Sequence, residues 1–295
     1  MTLVVRISVA EHVDCFVDGF RQAFCWSRAA TLIHSSHTVQ RFLIKTVLLN
    51  GVIFLGILFF IDSFYNTPEH TLFGYSYTTL TGYPMYMLCL MTNAGFFSRI
   101  AKEAFSMHSD EYQRHDNSES ISAPTTIGMG ILYMSCAAFI RCLRVIPLIG
   151  TPLSFYVNCI FTAYYCFEYK WMHLGWSLEQ RLAHVEKHWA FFFGFGLPAT
   201  LLTFFLSTLH AGAVFALIFP SYVIMATMST MKPSTAPNNV VSVPLLQRWY
   251  LPSRIPVFWP VGKATNVAID IIQSFGVVDM KAAFTENKDQ LGKVV

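Results

Sequence analysis

Three charged side chains stand where charge is costly. Arg141 and Arg144 interrupt an apolar stretch running from residue 125 to 167, and Glu168 closes the run Tyr164-Tyr165-Cys166-Phe167-Glu168-Tyr169. Ionisable groups at membrane depth are either functional or lie at the boundary, where a long side chain snorkels to water. Two arginines facing a pore would attract an inorganic anion. Gly194-Phe195-Gly196-Leu197-Pro198-Ala199 fits the G-x-G-x-x-G/A pattern of dinucleotide sites. No strand pattern precedes it and it lies within an apolar run, so its glycines and Pro198 are expected to permit close helix approach and a kink. His108, Asp110, Glu111, His115 and Asp116 gather in a Ser-rich stretch between residues 99 and 124. Their spacing matches no metal motif, and a solvated loop is expected there. No P-loop, HExxH or GxSxG sequence occurs. That removes the common hydrolases and NTPases without excluding an enzyme; the chain is read as not an enzyme, with no catalytic, cofactor or metal site.

The elements that must position these residues are set by the spacing of charge. Charged residues make up 13% of the 295 positions and hydrophobic ones 54%, against about 25% charged in soluble domains. Uncharged runs of sixteen residues (Lys45 to Asp62), twenty-nine (Glu69 to Arg99), twenty-one (Glu119 to Arg141), twenty-three (Arg144 to Glu168) and forty-four (Lys187 to Lys232) follow one another. A bilayer-crossing helix needs about 20 apolar residues, so the last run holds two spans and a turn. Period-two alternation is lacking, which disfavours a barrel. The fold class is all-α membrane protein, with four to six transmembrane or partly inserted helices, an N-terminal amphipathic helix and an irregular C-terminal tail. A net charge of +3 is too small to argue for nucleic acid, and seven cysteines without a CxxC pair, mostly inside apolar runs, give no disulfide framework or zinc site.

Along the chain, residues 9–27 form an amphipathic pattern in which Val9, Val13, Phe16, Phe20 and Phe24 recur at helical spacing. Such a helix either lies in the membrane interface or packs on the rest of the protein. No long apolar core in residues 1–30 suggests a signal peptide. The first span is expected over about Thr46–Ile61 and the second over Tyr75–Phe97, the latter interrupted by Gly82 and Pro84. Residues 125–167 read as a pair of short apolar arms with the arginines between them. Both arms can be read as spanning, with the arginines in the far-side turn, but the shortness of the arms and the cost of Arg in a buried turn favour a hairpin that enters part way and returns. Leu178, Leu182, Val185 and Trp189 form a helical stripe, and spans at about Trp189–Thr208 and Ala211–Met228 flank a turn at His210. Six prolines between 233 and 260 break the tail, which has one short amphipathic helix near 264–275. The organisation is thus a membrane domain over 1–230 and a Pro-rich tail over 231–295. Arg21, Arg28, Arg41 and Lys45 precede the first span, residues 62–72 and 206–212 carry no Lys or Arg, and residues 231–295 carry seven. By the positive-inside rule both termini face the cytosol.

Several ordered blocks carry a family resemblance. Tyr165-Cys166-Phe167-Glu168-Tyr169-Lys170-Trp171, Gln180-Arg181-Leu182, Glu186-Lys187-His188-Trp189, Phe193-Gly194-Phe195-Gly196-Leu197-Pro198 and Ile218-Phe219-Pro220 follow at close to family spacing. The chain resembles the etoposide-induced 2.4 proteins, the eukaryotic branch of the CysZ-like membrane family, most clearly over residues 156–230. The resemblance implies an endoplasmic reticulum membrane protein linked to autophagy; apart from the resemblance, the mitochondrial inner membrane is the alternative location. It singles out Glu168, Arg181, Glu186, Gly194, Gly196 and Pro198 as family positions, beside Arg141 and Arg144. Three functions follow as expectations: autophagy-linked membrane or lipid processes, an accessory subunit of a larger membrane complex, and a sulfate-like anion transporter or channel. The implied partners are membrane lipids and other membrane proteins or a second copy of the chain, with no nucleic acid.

Overall fold

The computed structural model describes residues 6–64, 71–72, 75–108, 123–230 and 250–274. The chain begins with β1 (Arg6–Ser8), α1 (Val9–Gln22) and α2 (Trp26–Ser35). α3 (His37–Val47) is capped by Ser36, whose hydroxyl accepts from the Val39 N–H, and runs through a π-helical turn (Leu48–Phe54) into α4 (Leu55–Phe64). The pairs β2 (Thr71–Leu72) and β3 (Tyr75–Ser76) lead into α5 (Tyr77–His108). α6 (Ala123–Arg144) and α7 (Gly150–His173) form a hairpin, followed by α8 (Leu178–Lys187), α9 (Trp189–Thr203) and α10 (Thr208–Met228). β4 (Tyr250–Pro252) then pairs antiparallel with β1, and α11 (Trp259–Ser274) closes the described chain.

His37–Phe64, of 28 residues, and Thr208–Met228, of 21, are long and apolar enough to cross a membrane, and Trp189–Thr203 is apolar but shorter. The first span is longer than the expected Thr46–Ile61 because α3, the π-turn and α4 are continuous. Within it Asn50 and Asn93 of α5 exchange amide hydrogen bonds at 2.9 and 2.8 Å. Each is buried, so the exchange satisfies groups that lipid could not. α5 continues to His108, past the expected end near Phe97, because Ile100, Ala101, Ala104 and Phe105 continue a buried stripe into the stretch expected to be a loop. Asp110, Glu111, His115 and Asp116 lie outside the described residues.

The hairpin arms have 22 and 24 residues, about 33 and 36 Å at 1.5 Å per residue. They exceed the expected arms because the helices continue through their polar ends. Length alone therefore does not demand partial insertion. The tip at 145–149 exposes Val145, Ile146, Leu148 and Ile149, with Leu148 in the left-handed region at φ 65°. The α9–α10 turn occupies residues 204–207, so His210 belongs to the first turn of α10, where its ring approaches Asp62 at 3.4 Å and the Ser207 hydroxyl at 2.7 Å.

α7 ends in a Schellman motif. Gly175 takes φ 69°, its N–H bonds the Met172 carbonyl and the Trp176 N–H bonds the Trp171 carbonyl. Two residues later Ser177 and Gln180 form a capping box that starts α8. These two devices turn the chain tightly and return Arg181 toward the helix it has just left.

Candidate functional site

The turn between α7 and α8 sets up a buried charge pair. Glu168 and Arg181 are 1% and 6% exposed, and the Arg181 Nη1 lies 3.3 Å from Glu168 Oε1. The same oxygen accepts from the Tyr164 hydroxyl at 3.0 Å, one helical turn earlier on α7. The Arg181 Nε donates to the Trp176 carbonyl at 3.0 Å, which spends the guanidinium's second edge on the loop. Burial of both charges costs several kcal/mol per ion before the pairing is counted. Such a pair is stable only with its hydrogen bonds complete.

A second carboxylate does a different job. Glu186, on α8, accepts from Arg254 Nε and Nη2 at 2.9 and 2.6 Å and from the Phe258 N–H at 3.1 Å. Its carbonyl accepts the Ile255 N–H at 3.2 Å. Glu186 is thereby the anchor for a segment of the Pro-rich region. The anchor seats Phe258 against Phe161 and Tyr164, at ring distances of 4.9 and 5.3 Å, the latter being the tyrosine whose hydroxyl bonds Glu168. Residues 250–274 are therefore a strand, a turn and a helix laid on the bundle, and α11 starts at Trp259, ahead of the expected 264.

The glycines act as read from the sequence. A side chain on Gly194 would overlap the Phe16 carbonyl of α1, and one on Gly19 would overlap the Phe191 carbonyl of α9. One on Gly196 would overlap the Cys159 carbonyl of α7. Two glycines two residues apart thus let two different helices approach the backbone of α9. Pro198 is buried in the same helix and cannot donate to the Gly194 carbonyl four residues back.

Arg141 and Arg144 stand apart from this centre. They occupy the last turn of α6, exposed, with the Arg144 guanidinium 4.3 Å over the Phe204 ring at the α9–α10 turn. Sequence reasoning did not single out Tyr164, Arg254, Asn50 or Asn93. Tyr164 precedes Glu168 by four residues, a spacing that marks it. Asn50 is the one amide among the uncharged residues from Thr46 to Ile61. Nothing periodic marks Arg254. Among the described residues no group of three His, Cys, Asp or Glu could hold a metal ion.

α8 also carries His184, whose ring meets Trp171, Trp176 and Phe192 edge-on and lies 4.7 Å from His188. Burial, then the neighbouring His188, Lys187 and Lys170, push its pKa down from 6.5 to about 4. Burial and Lys187 push His188 down as well. Both imidazoles are thus neutral in the folded protein, while the unfolded chain takes up protons below its ordinary value. Stability contributed by the neutral rings is full above about pH 6.5 and is lost as pH falls toward 4. Thermal midpoints in mild detergent should therefore fall between pH 7.5 and 5, and His184→Phe should flatten that slope. An unchanged slope in the variant would remove His184 as its source.

The model of the sulfate transporter CysZ/etoposide-induced protein 2.4 family matches residues 25–229. A relative from Arabidopsis thaliana, described as a protein EI24 homolog, is 31% identical over 88% of this chain and 94% of its own length. A second, from Dictyostelium discoideum and described in the same words, is 27% identical over 80% of this chain and 77% of its own length. No solved structure matches the chain.

Proposed function

We propose a function on one premise: the chain belongs to the sulfate transporter CysZ/etoposide-induced protein 2.4 family. The proposed function is that of a multi-pass endoplasmic reticulum membrane protein acting in autophagy-linked membrane or lipid processes. The observation that carries this reading is the way α1 is held. Its packing face is narrow, formed by Gly19 against the Phe191 carbonyl of α9 and by His12 and Phe16, whose rings meet Trp189 and Phe193 at 4.8 and 5.3 Å. The larger apolar residues Val13, Phe20 and Phe24 sit one step round the helix and are exposed, as is Trp26 at the start of α2. The expectation that this helix packs on the rest of the protein is met. It packs on the bundle, and it presents an apolar edge beside Glu11 and Arg21 of the kind that lies in a membrane interface. A helix fixed to a spanning bundle in this way supports a role in shaping or recognising the adjoining membrane surface.

The test uses cells lacking the protein. Deletion should lower autophagic flux, and the full chain should restore it from an endoplasmic reticulum location. Phe20→Glu with Phe24→Glu leaves Gly19 and its contact intact, and should insert normally yet fail to restore flux. Unchanged flux on deletion would end this reading. Recovery of the chain only within a fixed complex of foreign subunits would make it an accessory subunit instead. Sulfate flux in proteoliposomes that falls on changing Arg141 and Arg144 to Gln would favour a transporter, although both side chains lie on the outer surface.

A further inference from the structure

We propose that the groove between the start of α3 and the end of α5 binds the phosphodiester headgroup of an anionic phospholipid. The inference depends on the preceding reading only in placing this end of the bundle at a membrane surface. The groove, of about 260 Å³, is lined by Thr38, Phe42, Arg99, Lys102, Glu103 and Ser106. The ammonium of Lys45 lies 5.2 Å and the guanidinium of Arg99 5.4 Å from the centroid of the same Phe42 ring. Among the described residues, none of Lys45, Arg99 and Lys102 belongs to an ion pair. The one carboxylate in the wall, Glu103, accepts from the Ser36 hydroxyl at 3.0 Å and is thereby tied to the cap of α3. Lys45 and Arg99 thus flank one aromatic ring, Lys102 stands beside Arg99 in the groove wall, and the one carboxylate there is engaged with Ser36, so an acidic group would relieve the mutual repulsion of these cations.

The surroundings select a lipid over a free anion. Ile44, Val47 and Leu48 on the first span are exposed, and so are Leu88 and Met91 on α5. On α5, Leu88, Met91, Gly95, Arg99 and Lys102 follow at helical spacing along one exposed face, and no atom lies within 4 Å of where a Gly95 side chain would stand. A headgroup held by Arg99 and Lys102 would therefore lay an acyl chain along an apolar track that starts one turn away. Basic pockets between spanning helices on the cytosolic side take anionic headgroups in this way. The basic residues before the first span put this end on that side.

The experiment is native mass spectrometry of the full chain in mild detergent, offered equal amounts of phosphatidylserine and phosphatidylcholine. The unmodified chain should retain phosphatidylserine in preference. Each basic residue near an anionic lipid surface contributes about fivefold, so Arg99→Gln with Lys102→Gln should reduce that preference roughly thirtyfold. Arg141→Gln with Arg144→Gln, which removes an exposed basic pair elsewhere on the bundle, should leave it unchanged. Ser106→Glu, an exposed rim residue, adds a carboxylate without touching the cations and should also lower the preference, which keeps the test decisive if the double variant fails to fold. Equal retention of both lipids by the unmodified chain would overturn the proposal, as would a preference indifferent to the Arg99, Lys102 and Ser106 changes. Displacement of the lipid by excess inorganic phosphate would make this a soluble-anion site and overturn the lipid assignment. Autophagic flux is not measured here, so failure of this site leaves the reading of α1 standing.

Discussion

Gly196→Ala should yield a protein that melts far below the unmodified chain, whereas Gly56→Ala should melt at the same temperature or slightly above it. Both changes add one methyl group to a helical glycine. At Gly196 the new carbon would overlap the Cys159 carbonyl oxygen and press on the Ala163 N–H of α7. Neither is the end of a flexible side chain, so no rotamer change relieves the overlap and α7 must move off α9. That movement loosens the Thr162–Thr200 hydroxyl contact of 3.3 Å and the nest of Phe192 and Phe195 around the buried Phe167 ring. Forced overpacking of a core costs about 1–3 kcal/mol, and a backbone overlap belongs at or beyond the top of that range. At Gly56 no atom lies within 4 Å, and alanine gains about 0.5–1 kcal/mol over glycine in a helix. Melting of the two variants in the same detergent, followed by size-exclusion peak height, measures the difference. Equal midpoints would show that α7 and α9 are not held at the contact described.

The order of these elements was legible in the sequence because apolar periodicity and charge spacing report directly on membrane burial. The family blocks around Glu168, Arg181, Glu186 and Gly194–Pro198 fall at the junction of α7, α8 and α9. The resemblance read over residues 156–230 extends, in the family match, to 25–229. The expected close approach at Gly194 and Gly196 is present, with the two glycines serving different neighbours. What the sequence concealed was partnership across long separations. Arg254 pairs with Glu186 from a segment whose prolines erase any period, and β1 meets β4 from opposite ends of the chain. The amphipathic stripe of α1 was visible, but of its residues Phe16 meets α9 while the closest approach is made by Gly19 beside the stripe, because helices in close contact select glycine over phenylalanine. The polar stretch after Arg99 reads as loop by composition, yet four buried apolar residues at helical spacing hold it as helix as far as His108.

The second large effect concerns the buried pair. Arg181→Met should destabilise the protein by about 3–5 kcal/mol, since it strands the Glu168 carboxylate among apolar neighbours with only the Tyr164 hydroxyl to serve it. Glu168→Leu should cost a similar amount by leaving the guanidinium with the Trp176 carbonyl alone. The double variant should recover most of the loss, because replacing both charges by apolar groups of similar volume removes the desolvation cost together with the attraction. A double-mutant cycle on thermal stability reads this coupling directly. A double variant as unstable as the sum of the singles would mean that each residue acts through other contacts. The useful outcome lies in combining this cycle with the flux assay. If the double variant is as stable as the parent and restores autophagic flux, the pair serves only to fix the α7–α8 corner beneath Phe258. If it is stable but inactive, charge at this corner has a use of its own, and Glu168 with Arg181 becomes a functional site that stability alone does not require.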